Sequence, residues 1–266
     1  MNNELPLRVV QLSDFHLFAD PKSKLLGLPT QQSFESVLEL VRSEQPHMDV
    51  ILATGDLSQD ASAASYARAV EHLDEFGIPV YWLEGNHDKP APLVQALNGQ
   101  LERLSPCVVS HGNWSFILLD STIPGDVPGE LFRDDLAFLE QALAAHSEQH
   151  VMVCLHHHPV PIGCRWLDEQ QVGNAEAFFN IIDQFANVRA IVWGHVHQEF
   201  VGERNGVELY AVPSTCIQFK PHCERFTVDA VSPGYRWFDL YPDGRIVTEV
   251  SRVNEVFQVD FASSGY

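Results

Sequence analysis

The amino-acid sequence predicts an α/β fold, because short apolar runs alternate along it with longer stretches of helical pattern. The apolar runs have the length of strands and are continuous, which is typical of strands buried on both faces. Hydrophobic residues make up 45% of the chain, enough for a sizeable core. The length of 266 residues fits one large domain, or one domain with a small cap.

The predicted elements follow one another in a regular order. The first part holds strands at 7–13, 49–55, 79–85, 114–120, 151–156 and 189–195, and helices at 31–42, 61–76, 131–145 and 175–185. The last part holds strands at 207–214, 234–241 and 245–252 without a helix, and PDG at 242–244 predicts a tight turn between the final two. We therefore predict one domain over residues 1–266, with its core at 7–252 and a short tail at 253–266.

Charge and apolar pattern narrow the possible functions. The chain carries 36 acidic and 16 basic residues, a formal net charge of −20, which disfavours a surface for nucleic acid. No apolar run reaches the length of a membrane span and no basic, apolar leader opens MNNELPLRVV, so we expect a cytoplasmic protein without a membrane partner. The five cysteines show no CxxC spacing and are expected to be reduced, with Cys154 a buried small hydrophobe.

Five predicted strands end in polar clusters that are rich in metal-ligand side chains. These are SDFH with Asp14 and His16, TGD with Asp56, EGNHD with Asn86, His87 and Asp88, LHHH with His156 to His158, and WGHVH with His195 and His197. On an extended chain, residues two apart are expected to point to one side and adjacent residues to opposite sides. Ligands of α/β sheets bind beyond the carboxyl ends of the strands, so the clusters predict one shared crevice.

These clusters predict a metal site, although each of them alone is a weak signal. Five solvated strand ends are the alternative, and the ordered set argues against it. Oxygen and imidazole ligands without a cysteine suit manganese, iron or zinc and argue against a structural zinc–thiolate site. The glycine before Asp56 would allow another part of the chain to approach closely.

In this order, the clusters resemble the motifs of the calcineurin-like metallophosphoesterases: D-x-H, GD, GNHD, a histidine after an apolar strand, and GH-x-H. The resemblance implies a two-layered β-sandwich flanked by α-helices, with two divalent metal ions at the edge where the strands end. It implies Asp14, His16 and His197 for the first ion, Asn86, His156 and His195 for the second, and Asp56 as the bridge. His87 would stand beside the ions as the proton donor.

Three further stretches are similar to the bacterial class III cyclic-AMP phosphodiesterases: HHHPVPIGCRWLD at 156–168, AVPSTCIQF at 211–219 and PGYRWFDLYPDGRIVTEV at 233–250. This resemblance implies hydrolysis of 3′,5′-cyclic AMP to 5′-AMP by in-line attack of a metal-bridging hydroxide, with Fe²⁺ or Mn²⁺ as the ions. Its substrate contacts would come from His16, Asp56, Asn86, His87 and His197. Trp166, Ile217 and Phe219 could face the base, although core packing is the simpler interpretation. The loop at 217–232 is expected to form a wall or lid around the nucleotide.

Several alternatives stay open. Another phosphoesterase of the same fold would be a nuclease, a protein phosphatase or a nucleotide-lipid hydrolase, and a non-catalytic scaffold would not need the complete ligand set. His157 and His158 are expected to be neighbours of the site or solvated, although His157 could instead line the substrate side. Either Asp60 or Asp88 could orient His87. The histidines outside the clusters are expected to be exposed: His47, His72, His111, His146 and His150. The sequence makes no prediction of the oligomeric state.

Overall fold

Two β-sheets pack face to face in the structure, a computed structural model that describes residues 5–265. Residues 1–4 and 266 lie outside the described residues. The two ends of the predicted domain, and the first residues of MNNELPLRVV that bear on the predicted lack of a leader, are therefore not described. The strands are β1 (Leu7–Leu12), β2 (Lys24–Leu25), β3 (Leu28–Pro29), β4 (Val50–Thr54), β5 (Val80–Leu83), β6 (Cys107–His111), β7 (Trp114–Leu118), β8 (His150–Cys154), β9 (Val188–Trp193), β10 (Phe200–Arg204), β11 (Val207–Ala211), β12 (Gly234–Leu240) and β13 (Ile246–Arg252). The helices are α1 (Thr30–Glu44), α2 (Ala63–Asp74), α3 (Pro90–Ala96), α4 (Arg133–Ala145), α5 (Arg165–Asp168) and α6 (Ala175–Ile182), with a 3₁₀ turn at Leu101–Arg103.

The two sheets place the carboxyl ends of their parallel strands at one edge. Within the described range, the first sheet has the order β13-β12-β1-β4-β5 and the second has the order β10-β11-β9-β8-β7-β6, while β2 and β3 form a separate hairpin. Strands β1, β4 and β5 are parallel, as are β7, β8, β9 and β11. The polar clusters follow β1, β4, β5, β8 and β9, so the topology brings them to the same edge.

Side-chain alternation along the strands explains why they are apolar on both faces. In β8, Val151 and Val153 pack beneath the helices on the outer face of the second sheet, whereas Met152 and Cys154 face the first sheet. All four side chains are fully buried, and burial of a valine or methionine side chain stabilises the fold by about 1.5–3 kcal/mol. Cys154 is therefore the buried small hydrophobe that the sequence predicts.

Helix α1 covers the outer face of the first sheet. Its inner face carries apolar residues at the i, i+3, i+4, i+7 spacing of one helical stripe, and all of them are fully buried. These residues are Phe34, Val37, Leu38 and Val41. Helix α2 lies in the same layer and begins where the Ser62 hydroxyl accepts a hydrogen bond of 3.2 Å from the Ser65 amide.

The predicted fold class is confirmed, and each predicted strand and helix overlaps an observed one. The pattern did not predict the hairpin of β2 and β3, the short helices α3 and α5, or the strands β6 and β10. Strands β6 and β10 form the two edges of the second sheet and are partly exposed along their length, so they lack a continuous apolar run. The pattern also did not predict that the strands divide into two sheets, because a strand covered by a second sheet is as apolar as one covered by a helix.

The prediction that five histidines are exposed is correct for His47 and wrong for the others. The other four are half-buried because their ring nitrogens bind groups of the fold. The partners are Gln31 for His72, the Tyr81 hydroxyl for His111, Gln149 for His146 and the Pro242 carbonyl for His150.

Two other predictions concern membranes and disulfides. Among the residues that the structure describes, no helix is both long and apolar enough to cross a membrane. All five cysteines lie within the described residues, and all five are unpaired.

Candidate metal centre

The loops after β1, β4, β5, β8 and β9 bring the predicted site residues into one cluster. Four groups of side chains each have their ligand atoms within 4.8 Å of one another. They are Asp14 with His16 and His197, Asp14 with Asp56 and His156, His16 with Asp56 and His87, and His156 with His157 and His195. Asn86 adds an amide oxygen, 3.3 Å from His156 Nε2 and 3.1 Å from His195 Nδ1.

Asp56 lies between the two halves of this cluster. Its Oδ2 atom is 3.8 Å from His16 Nε2 and 3.4 Å from His156 Nε2, and its Oδ1 atom accepts a hydrogen bond of 2.9 Å from the backbone amide of His87. Burial alone would raise the pKa of Asp56, but His156 and then His87 outweigh it and hold the pKa well below its usual range. An ionised carboxylate with imidazoles on two sides has the position that a bridging ligand needs.

The ligand loops do not keep the extended conformation that the sequence predicts. Several site residues have a positive φ: Asp14 (57°), His16 (47°), Asp56 (50°), His195 (63°) and His197 (47°). The expected extended conformation is therefore wrong for this site, although Asp14 and His16 still face the same ligand group. The chain turns directly after each strand, and hydrogen bonds hold the turns: the Asp14 amide donates to Gly55 at 2.9 Å and the His16 amide donates to Asp56 at 3.0 Å. Left-handed residues of this kind cost of order 1–3 kcal/mol each and cluster at functional sites.

Two glycines allow the loops to approach one another. Gly55 has a φ of +96°, and a Cβ there would lie 2.4 Å from His156 Nδ1. A Cβ on Gly85 would lie 2.2 Å from Asp56 Oδ1. Both distances are far inside van der Waals contact, so a larger residue at either position would displace a ligand. The close approach predicted at TGD is confirmed.

Hydrogen bonds determine which nitrogen of three imidazoles faces the centre. In each ring, Nδ1–H donates to an oxygen outside the cluster, which leaves the Nε2 lone pair directed toward it. The pairs are His16 with Gln59 Oε1 at 2.6 Å, His156 with the Thr54 carbonyl at 2.8 Å and His197 with the Ile217 carbonyl at 2.8 Å. Metal-binding histidines usually have oxygen partners of this kind. No sequence pattern predicts these partners, because two of them are backbone carbonyls.

The arrangement of these nitrogens fits a bound cation. His16 Nε2 and His197 Nε2 are 3.1 Å apart, and since both Nδ1 atoms are donors, two lone pairs face each other. Burial lowers the pKa of His16 to about 3, so protonation of this ring does not relieve the repulsion at neutral pH. In the other half of the cluster, His195 Nε2 is buried without a hydrogen-bond partner. Divalent ions would satisfy both halves.

Asn86 and His87 have different surroundings although they are adjacent. They lie in a turn closed by a hydrogen bond of 3.0 Å from the Asp88 amide to the Gly85 carbonyl, so the expected extended segment is wrong. The Asn86 amide contacts the imidazoles of the second group, whereas the His87 ring lies edge-on to His16, with ring centroids 5.1 Å apart. His87 is half-buried, which leaves part of its ring open to a substrate.

Both carboxylates that could orient His87 bind backbone amides. Asp88 ties the loops after β4 and β5 together by accepting hydrogen bonds of 2.9–3.1 Å from Leu57, Ser58 and Gly85. Burial, together with the charge of Asp56, raises the pKa of Asp88 to about 7. Asp60 accepts hydrogen bonds from the amides of Ala19 and Ser62. That one of them orients His87 stays a prediction.

His157 and His158 are fully buried, so the expectation of a solvated role is wrong and both are neighbours of the site. The strand ends at Cys154, and the chain then passes beneath the 121–130 loop instead of emerging into solvent. His157 Nε2–H donates to the Val127 carbonyl at 3.0 Å, and its Nδ1 accepts from the Ser121 hydroxyl at 2.9 Å. His158 stacks on His195 with ring centroids 5.9 Å apart, and burial lowers the pKa of His158 to about 3.

A cavity of about 280 Å³ adjoins the cluster. Its wall includes three site residues and three aromatic residues, namely Asn86, His87 and His195 with Trp166, Phe219 and Phe226. The aromatic rings pack edge to face, with centroids 4.9–5.4 Å apart. Trp166 and Phe219 therefore pack in the core and also face the cavity, whereas Ile217 is buried away from it. Phe226 belongs to the loop that was predicted to form a wall.

A larger cavity of about 570 Å³ lies at the opposite edge of the sandwich, between the starts of β1 and β7. None of the four ligand groups contributes to its wall. The chemistry of the side chains, and not the volume, therefore distinguishes the smaller cavity as the candidate site.

Comparison with known proteins agrees with the motifs. The family model described as Calcineurin-like phosphoesterase matches residues 7–199. A protein of Pseudomonas aeruginosa named 3′,5′-cyclic adenosine monophosphate phosphodiesterase CpdA is 46% identical to this chain, over 97% of this chain and 94% of its own length. The chain belongs to the calcineurin-like phosphoesterase family.

Other relatives place this calcineurin-like phosphoesterase among proteins of similar length and fold. The protein of the same name from Escherichia coli (strain K12) is 43% identical, over 99% of this chain and 96% of its own. Among solved structures, a dimetal phosphatase from Danio rerio matches with a TM-score of 0.73 and 15% identity, over 97% of this chain and 100% of the other. At that identity the match shows the fold alone, and the fold is the β-sandwich that the resemblance implies.

Proposed function

We propose that this chain is a metal-dependent phosphodiesterase that hydrolyses 3′,5′-cyclic AMP to 5′-AMP. The main support for the proposal is the position of Asp56, which lies between two groups of ligand side chains. A small cavity adjoins the same cluster. The cavity volume of about 280 Å³ is close to the lower end of the roughly 300–1,000 Å³ typical of ligand pockets. The names of the relatives at 46% and 43% identity support cyclic AMP as the substrate.

Two divalent ions would occupy the cluster. Asp14, His16 and His197 would hold the first, Asn86, His156 and His195 the second, and Asp56 would bind both. A set of oxygen and imidazole ligands without thiolate suits Fe²⁺ or Mn²⁺. When bound, the two ions supply positive charge for the phosphoryl group and lower the pKa of water so that it can act as the nucleophile.

The chain's own residues would orient the substrate and move the proton. His16, Asp56, Asn86, His87 and His197 are the residues that would surround the phosphate. His87 has the exposure that a general acid needs, and it would protonate the ribose 3′ oxygen as the phosphorus–oxygen bond breaks. Without that proton the leaving group is an alkoxide, which leaves poorly.

The rival functions fit the same features less well. A nuclease must hold a long polyanion, which the net charge of −20 and the small cavity disfavour. A scaffold has no need of buried ligand groups, strained backbone and a half-buried histidine at a cavity. The cytoplasmic location stays a prediction.

The proposal is tested by assaying the purified protein, reconstituted with Fe²⁺ or Mn²⁺, against a panel of phosphoesters. The panel contains cyclic AMP, other cyclic nucleotides, bis-(nitrophenyl) phosphate, a phosphomonoester and single-stranded nucleic acid. We expect cyclic AMP to be hydrolysed with a higher kcat/KM than nucleic acid or the monoester. Faster cleavage of single-stranded nucleic acid under the same metal conditions would overturn the proposal.

A further inference from the structure

The C-terminal segment, residues 253–265, leads from the last strand to the substrate cavity. Strand β13 ends at Arg252, and the far end of the segment, Ser264 and Gly265, lines the cavity together with Asn86 and His87. The match to the family model ends at residue 199, so this segment lies outside it. The segment therefore adds a wall that the metal-ligand motifs do not supply.

The first part of the segment is fixed to helix α1. The Glu255 carboxylate accepts one hydrogen bond of 2.9 Å from Gln32 Nε2 and another of 2.9 Å from the Ser36 hydroxyl. The Glu255 carbonyl accepts a third hydrogen bond, of 3.2 Å, from the Ser232 hydroxyl. Three contacts to two separate parts of the fold set the direction in which the segment leaves β13.

The middle of the segment is fixed to the hairpin of β2 and β3. The Asp260 amide donates a hydrogen bond of 2.7 Å to the Leu26 carbonyl. Phe257 and Val259 are half-buried and pack against the apolar core beneath them. The backbone also passes close to Gly27, where a Cβ would lie 3.4 Å from the Gln258 carbonyl oxygen. The path from Glu255 to Asp260 is thus determined by packing, and the residues after it are directed to the cavity.

The composition of the segment indicates how it acts. Residues 253–265 contain no Lys, Arg or His, so the segment brings no cation to the phosphate. Small residues form its end, where the Ser263 hydroxyl donates to the Gly265 carbonyl at 2.7 Å. Ser264 and Gly265 are exposed and lie at the rim of the cavity. A rim of small, uncharged residues affects substrate binding through its shape.

We propose that residues 262–265 are a specificity-determining wall, which closes the cavity to the size of one mononucleotide and excludes phosphodiesters that carry a second nucleoside. The inference rests on the proposed function, because it concerns which diesters reach the same metal centre. A cyclic nucleotide keeps both ester bonds within one compact ring system, whereas a linear dinucleotide must extend past the phosphate on both sides. The second nucleoside would meet Ser264 and Gly265.

The test compares the parent chain with a shorter chain from which residues 262–265 alone are deleted, and which keeps Glu255, Phe257, Val259 and Asp260. For both chains, kcat and KM are measured with cyclic AMP and with a linear 3′,5′-linked diadenosine phosphate, after metal content is determined. We expect the shorter chain to keep its metals and to show a higher KM for cyclic AMP. We also expect kcat/KM for the dinucleotide, divided by kcat/KM for cyclic AMP, to rise about tenfold or more, since loss of a pocket contact changes specificity by a factor of this size. An unchanged ratio would overturn the proposal.

A second variant loosens the wall without shortening it. Glu255→Ala removes the two hydrogen bonds to α1 and should shift the ratio in the same direction by a smaller factor. Glu75→Ala is the matched control, because Glu75 also binds α1 from the surface, through a 2.7 Å contact with Arg42, but lies outside the cavity wall. We expect no change of the ratio in the control; an equal change in both variants would contradict the inference.

If neither chain hydrolyses cyclic AMP while both hydrolyse bis-(nitrophenyl) phosphate, the proposed function fails. The wall is then tested by the ratio of kcat/KM for the dinucleotide to kcat/KM for bis-(nitrophenyl) phosphate.

Discussion

Asp56→Ala should remove both metal ions and abolish hydrolysis of cyclic AMP. The Asp56 carboxylate is the group that faces His16 on one side and His156 on the other, so its loss weakens both halves of the centre at once. Elemental analysis after reconstitution should find close to two ions per chain in the parent protein and far fewer in the variant. The loss in kcat/KM should be at least about 10³-fold, because removal of one electrostatic contact to a transition state already costs about 10²–10³-fold.

Two further variants make this prediction specific. Asp56→Asn keeps the shape of the side chain and an oxygen that can accept from the His87 amide, but it lacks the charge, so it should also lose metal. Asp20→Ala removes an exposed carboxylate whose hydrogen bond is to the nearby Lys22 amide, and it should retain both ions and full activity. A fully loaded, active Asp56→Ala protein would show that Asp56 is not the bridge.

His87→Ala should keep its metals and lose most of its activity on cyclic AMP, by about 10²–10⁴-fold, the usual contribution of a general acid. The loss should be much smaller with bis-(nitrophenyl) phosphate, because nitrophenolate leaves readily without a proton whereas the ribose 3′ oxygen does not. The His87 ring lies beside His16, and His87 lines the cavity, which is where a general acid must stand to reach the leaving oxygen. The measurements are metal content and kcat/KM on both substrates.

The two substrates and the metal content distinguish the possible roles of His87. Equal losses on both diesters would indicate a role in phosphate binding or in the geometry of the site. Loss of metal would make His87 a ligand, as its place in a group with His16 and Asp56 allows. His47→Ala, which changes an exposed histidine that belongs to none of the four ligand groups, should leave metal content and both activities as in the parent protein.

The sequence predicted which side chains gather at one edge of the sheets, because the residue types at each strand end are local information. Asp14, Asp56 and His195 each follow a buried strand. The carboxyl ends of parallel strands lie at one edge of a sheet, so the residues that follow them lie close together there. The backbone between them could not be predicted. Positive φ values at Asp14, His16 and Asp56 result from hydrogen bonds between two loops that are about forty residues apart in the chain, and the pattern of a single loop does not contain that information.

For the three consecutive histidines, too, the sequence predicts a ligand but does not predict the contacts that bury its neighbours. Their types and their place after an apolar strand predict a ligand, and the resemblance assigns it to His156. The burial of His157 and His158 depends on the 121–130 loop, through Ser121 and Val127, and no periodicity predicts that loop's position. The path of residues 253–265 could not be predicted for a similar reason, because single contacts such as Glu255 with α1 determine it.

Hydrolysis of cyclic AMP in ¹⁸O-labelled water distinguishes in-line attack on phosphorus from other routes of cleavage. The protein is reconstituted with Mn²⁺ or Fe²⁺, and the products are identified by ³¹P nuclear magnetic resonance and mass spectrometry. In-line attack on phosphorus with loss of the 3′ oxygen predicts 5′-AMP as the product, with one ¹⁸O in its phosphate and none in its ribose. Formation of 3′-AMP, label in the ribose, or no turnover of cyclic AMP by a chain that holds two ions would show that the metal centre does not hydrolyse cyclic AMP in this way.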